Sequence, residues 1–139
     1  DTSSSDAVYM LDWYAYGIGK VPTKVATTYQ NISDAWSLLI DQKWHDRITA
    51  IKVSDGGLSY VEFFEYRKNK MSIPLFNIYC ATGSNREYYA ERTDLIQLGQ
   101  TTQAIYFAKL TNEGEQSELA LTGDEIKARF SLVNQAWNN

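Results

Sequence analysis

The sequence predicts an α+β fold, a mainly antiparallel sheet carrying a short helix and a C-terminal helix. Three observations lead there. Aromatic and β-branched runs of strand length recur between Trp36 and Leu110, separated by polar or glycine-containing stretches. Two Ser/Thr-x-x-Glu patterns stand where helices would start, Ser84 to Glu87 and Thr122 to Glu125. The connections between elements are short, which favours antiparallel neighbours over long crossovers.

Taken in order, residues 1–7 are polar and read as a disordered tail, and residues 8–139 as a single domain. Val8 to Tyr16 is apolar and aromatic, ended by Gly17-Ile-Gly19. Pro22 and the β-branched Val25, Thr27 and Thr28 point to extended chain. Asn31-Ile-Ser33-Asp34 is turn chemistry, because these short polar side chains bond to nearby main chain. The first core strand is Trp36 to Ile40. Asp41 to Asp46 is a connector of about one helical turn.

Arg47 to Val53 alternates, with Thr49, Ile51 and Val53 on one face. Asp55-Gly-Gly57 is a hairpin signal. The strand Ser59 to Tyr66 is apolar on both faces, as an interior strand should be. After a turn at 69–72, Pro74 opens a strand to Cys80, with Phe76, Ile78 and Cys80 sharing a face.

The Ser84-Asn-Arg-Glu87 capping box predicts a helix to about Arg92. Leu95 to Leu98 and Ala104 to Leu110 read as two strands around Gly99, and 112–118 as a polar loop. Thr122-Gly-Asp-Glu125 predicts a C-terminal helix over 123–137, with Ile126, Phe130, Val133 and Trp137 as its buried stripe.

Composition narrows the function classes. A chain of 139 residues is the size of one domain, with a core large enough to fold without a metal or disulfide staple. The net charge of −4, with only Arg67, Lys68 and Lys70 clustered, argues against nucleic acid. The single cysteine, Cys80, excludes an intramolecular disulfide and a thiolate cluster, and its strand position predicts a buried, inert thiol. No window approaches the apolar length that spans a bilayer.

No residue pattern in the sequence assigns a catalytic role. His45 is the only histidine, and the neighbouring Asp46 need not face it on a strand. Glu62 and Glu65 have opposite strand parity, Glu87 is taken up by its cap, and Asp124 and Glu125 belong to a helix start. Metal-ligand spacings are absent, so neither a metal nor another cofactor is expected. Aromatic side chains are the better candidates. Trp13, Tyr14 and Tyr16 are the first binding cluster, and Tyr88 and Tyr89 on the short helix the second.

A set of packing motifs resembles a family of small exported proteins and lipoproteins of Gram-positive bacteria without assigned activity. The motifs are Trp36-Ser-Leu-Leu-Ile40 with Lys43-Trp44, then Gly56-Gly57 and Val61-Glu-Phe63. Pro74-Leu-Phe76-Asn-Ile78, acidic and aromatic residues at 86–91, Leu98-Gly99, Ile105-Tyr-Phe-Ala108 and a C-terminal helix complete them. The resemblance covers about residues 30–137. The strand order resembles, more weakly, the sheet-and-helix sandwich of PsbP-type photosystem accessory proteins.

By elimination of catalytic and metal-binding patterns, the chain is expected to be a non-catalytic binding or protein-interaction module, and the resemblance implies an extracytoplasmic setting. Its partner would be an unknown protein or cell-surface ligand, and it would touch a membrane only through a removed lipid anchor or tether. The polar start Asp1-Thr-Ser-Ser-Ser-Asp6 fits such a tether. The alternative is a hydrolase-type enzyme with a dispersed carboxylate/His site.

Overall fold

Asp55-Gly56-Gly57-Leu58 turns the chain in two residues, and the reason is visible in the main chain. Gly56 has φ +62, the left-handed value that the first central residue of a type II′ turn requires. Gly57 passes so close to the next strand that an added Cβ would lie 2.8 Å from the Thr82 carbonyl oxygen. Neither position accommodates a side chain, and the hairpin signal in the sequence becomes a hairpin.

The computed structural model describes residues 8–15, 23–44, 46–67 and 72–133; for 8–15 and 23–26 it describes the main chain only. The order is β1 (Val8–Ala15), β2 (Thr23–Asn31), β3 (Trp36–Leu39), a 3-10 turn (Gln42–Trp44), β4 (Ile48–Asp55), β5 (Leu58–Glu65), β6 (Ile73–Thr82), α1 (Arg86–Ala90), β7 (Ile96–Gln100), β8 (Ala104–Leu110), α2 (Asn112–Glu115), α3 (Gly123–Arg129) and β9 (Phe130–Leu132). The fold is α+β and its sheets are antiparallel. Two compact units divide it, 1–42 with 129–139, and 43–128.

The first unit carries a four-stranded sheet in the order β1-β2-β3-β9. Asn31 ends β2 as the sequence suggests. Its buried side chain accepts from the Asp34 N–H at 3.0 Å and from the Ser33 hydroxyl at 3.1 Å. Trp36, 1% exposed, stacks on Tyr29 at 5.4 Å and on Phe130 at 5.8 Å. The ion pair of Arg129 with Asp41, 2.6 Å long, lies in the same unit.

Phe130 corrects the C-terminal helix. The helix forms, but it ends at Arg129, and Phe130–Leu132 extends beside β3 with Leu38 opposite Phe130. Arg129-Phe-Ser-Leu-Val133 alternates as well as it spaces helically, and stacking on Trp36 decides for the strand. Of the expected stripe, Ile126 is fully buried on α3 and Phe130 is half-buried on β9. Trp137 lies outside the described residues, as do residues 1–7.

The second unit carries a five-stranded sheet in the order β4-β5-β6-β8-β7. β5 is an interior strand, and the alternation of β6 is as expected: Phe76, Ile78 and Cys80 are 1%, 0% and 4% exposed. Pro74 falls where the β5–β6 register shifts, between Phe63 and Phe64, so its missing N–H interrupts no regular ladder. One face of this sheet holds Val61, Phe63, Phe76, Ile78, Tyr106 and Ala108, with Trp44 tilted on Phe76 at 5.6 Å.

The 112–118 segment, expected as a loop, contains α2. Thr111 caps it, its hydroxyl accepting from the Gly114 N–H at 2.8 Å and donating to the Pro74 carbonyl at 2.6 Å.

The two capping boxes fare differently. At α3 both arms form: the Thr122 N–H donates to the Glu125 carboxylate at 2.8 Å, and the Glu125 N–H to the Thr122 hydroxyl at 3.1 Å. At α1 the box is absent. The helix starts one residue later, after Asn85, whose φ −89 and ψ 2 are not the extended geometry a capping side chain needs. Ser84 and Glu87 are therefore not reciprocal partners, and α1 stops at Ala90 rather than near Arg92.

Candidate functional site

The second face of the five-stranded sheet places a row of rings side by side. Register puts Tyr60 opposite Tyr79, and Tyr79 opposite Phe107. Their ring centroids lie 5.0 and 4.9 Å apart. These are cross-strand pairs of the kind that stabilise sheets. α1 lies over β8 and adds Tyr89, stacked on Phe107 at 5.2 Å and 17°. Tyr88 follows, edge-to-face on Tyr89 at 5.3 Å. A ladder of five rings thus runs from the middle of the sheet to the surface.

Burial changes along the ladder. Phe107 is 2% exposed and belongs to a cluster with Ala81, Leu95 and Ile105; Tyr79, Tyr89 and Ala90 pack against it. Tyr88 is 63% exposed. Of the two helix tyrosines read from the sequence, Tyr89 anchors the helix and Tyr88 presents its ring to solvent. Adjacent residues on a helix diverge by about 100°, so one short helix holds both.

Arg92 completes this end. Its guanidinium carbon lies 5.8 Å from the Tyr88 ring centroid, within cation–π range. It pairs with Asp94, Nε to Oδ1 at 2.8 Å and Nη2 to Oδ2 closer still. The Arg92 hydrogen bond holds the Asp94 carboxyl below the usual carboxylate range. The guanidinium is thereby oriented, which makes it a fixed hydrogen-bond fork beside an exposed ring.

The first aromatic cluster has a different standing. Trp13 and Tyr14 lie on β1, where the register shifts between them opposite Ala26 and Lys24. Tyr16 lies outside the described residues, and so does His45.

One polar cluster has no counterpart in the sequence reading. Glu65, 4% exposed, accepts from the Ser117 hydroxyl at 2.6 Å and from Arg67 Nε at 3.1 Å. The Ser117 bond, with help from Arg67, holds its carboxyl below the ordinary value despite the opposing effect of burial. Arg47 pairs with Glu118 next to it. Ser117 lies 52 residues from Glu65, so no local spacing announces the pair. In this arrangement the serine donates directly to an ionised carboxylate. The bond ties β5 to the 111–122 segment.

Glu62 and Glu65 do face opposite sides of β5, as their parity requires. Among the described residues no three His, Cys, Asp or Glu side chains converge as metal ligands. No helix among them is long and apolar enough to cross a membrane. Comparison with family models, curated proteins and solved structures finds no match to this chain.

Proposed function

We propose that this chain is a non-catalytic binding module acting outside the cytoplasm, and that it engages a cell-surface ligand or partner protein through Tyr88 and Arg92. The observation that carries the reading is the exposed end of the aromatic ladder. Tyr88 is 63% exposed, yet its position is fixed by Tyr89 underneath and Arg92 alongside. A ring held rigidly at the surface loses little entropy on binding, which is how aromatic anchors concentrate interface energy. The ladder beneath connects it to the sheet core. The extracytoplasmic setting rests on the resemblance to exported proteins.

The test is a titration of the isotope-labelled protein with two probe sets, pyranose oligosaccharides and extended aromatic-containing peptides. Amide shifts are expected at Tyr88, Tyr89 and Arg92, and Tyr88→Ala should abolish them while leaving the melting temperature unchanged. Cleavage of any probe, or binding indifferent to Tyr88→Ala, refutes the reading.

A further inference from the structure

The surface at the end of α1 holds more hydrogen-bonding capacity than the fold uses. Arg92 spends its Nε–H on Asp94 Oδ1 at 2.8 Å and one Nη2–H on Oδ2. A guanidinium carries five N–H donors. Two on Nη1 and the second on Nη2 remain, and no side-chain hydrogen bond among the described residues takes them. The Asp94 carboxylate offers about four acceptor positions. Arg92 occupies two of them, and the main-chain N–H of Asp94 itself a third. Spare donors and a spare acceptor therefore stand together in one planar pair. Both side chains reach solvent, Arg92 at 35% and Asp94 at 48% exposed. The Tyr88 ring lies beside them, its centroid 5.8 Å from the guanidinium carbon. The charges here balance: Arg86, Arg92 and the β8 residue Lys109, which acts on Asp94, offset Glu87, Glu91 and Asp94. A balanced patch pulls neither anions nor cations from a distance.

We infer, resting on the reading of Tyr88 and Arg92 as a binding site, that the ligand is an uncharged saccharide of all-equatorial pyranose rings, a β-linked chain of glucose configuration. Hydrogen bonding is the first match. A hydroxyl both donates and accepts, so one sugar hydroxyl accepts from Arg92 and donates to Asp94, and its neighbour on the sugar takes the next Nη donor. A carboxylate or phosphate brings acceptors only and meets the charges of Asp94 and Glu91. An ammonium brings donors only and leaves the Arg92 fork unused. Shape is the second match. An all-equatorial pyranose turns bare C–H groups to its two faces and hydroxyls to its rim. Its face lies on the Tyr88 ring, 63% exposed, while its rim reaches sideways to the Arg92–Asp94 pair. An extended peptide is recognised along a strand edge or an aromatic-lined groove. Here the ring, the donors and the acceptor come from one short helix and the turn that follows it.

The test titrates the isotope-labelled full chain, into the millimolar range, with three hexamers of one skeleton: neutral cellohexaose, the cationic chitosan hexamer and the anionic cellouronate hexamer. An aromatic-containing peptide is the fourth probe. Cellohexaose should shift the amides from Tyr88 to Asp94, and Tyr88→Ala should abolish the shifts. Arg92→Lys keeps the charge and loses the planar fork, so it should weaken cellohexaose by about tenfold or more with the melting temperature retained. The cellohexaose affinity should change by less than about twofold between about 0.05 and about 0.5 M salt, because no ligand charge is there to screen. Tighter binding of either charged hexamer, or an Arg92→Lys variant that binds cellohexaose like wild type, overturns the uncharged-saccharide assignment and leaves the binding site standing. So does a peptide that binds through Tyr88 while cellohexaose does not. Absence of Tyr88-dependent binding with all four probes overturns both the assignment and the site.

Discussion

Trp44 Nε1 donates to the Leu119 carbonyl at 2.7 Å, a bond that joins residues 75 apart and is fully buried. It fastens the segment after α2 to the start of the second unit. The same indole tilts on Phe76, which stacks on Phe63 at 4.9 Å. Trp44→Phe keeps most of the ring contacts but leaves a buried carbonyl unsatisfied. The expected cost is about 1–3 kcal/mol, and Trp44→Ala should cost about 3–5 kcal/mol by adding a cavity. Urea unfolding of the two variants should separate them in that order.

Glu65 gives the stability a defined acid dependence. Its folded-state pKa is lowered, so its contribution is complete above the ordinary carboxylate value and disappears as pH falls through the folded value. Ser117→Ala removes the largest cause and should cost about 1.5–3 kcal/mol at neutral pH, as for hydrogen bonds to charged groups. Denaturation midpoints measured from neutral to acid pH should fall less steeply for Ser117→Ala than for wild type. Parallel curves would contradict the assignment.

The two capping patterns predict opposite outcomes for similar substitutions. Thr122→Ala removes the hydroxyl arm of a formed box, keeps the main-chain N–H bond to Glu125, and should destabilise by about 1 kcal/mol. Ser84→Ala, at a box that does not form, should change stability by less than about 0.5 kcal/mol. Thermal unfolding of the pair checks this.

Phe130→Ala tests the strand assignment at β9. The ring is half-buried against Trp36, so the loss should be about 2–3 kcal/mol, below that of a fully enclosed ring. Amide exchange should then quicken along β3, whose outer hydrogen bonds β9 supplies. Unchanged exchange at Ser37 would argue against the pairing.

Gly114 marks a close approach in the 112–118 segment. An added Cβ would overlap the Leu75 carbonyl oxygen and come within 2.7 Å of Leu75 Cα, both main-chain atoms of β6. Gly114→Ala should therefore destabilise by about 1–3 kcal/mol through overpacking, where an exposed loop glycine would tolerate it. A differential scan decides between the two.

Much of this fold is written locally. Hydrophobic alternation and turn residues place β4, β5, β6 and β8 within a residue or two, because burial of one face has a period of two and Gly56-Gly57 admits only a tight turn. The Thr122 box is equally local, since its partners sit one turn apart. Buried Cys80 follows from the same parity.

What required the tertiary structure is everything set by distant partners. Arg129-Phe-Ser-Leu satisfies helical and extended periods alike, and Trp36 settles the matter from about 90 residues away in sequence. The Glu65–Ser117 bond has no periodicity to betray it. Tyr88 and Tyr89 are indistinguishable as letters. Packing on Phe107 buries one ring and leaves the other exposed beside Arg92, because a helix turns adjacent residues to different sides and only the sheet beneath decides which side is inward.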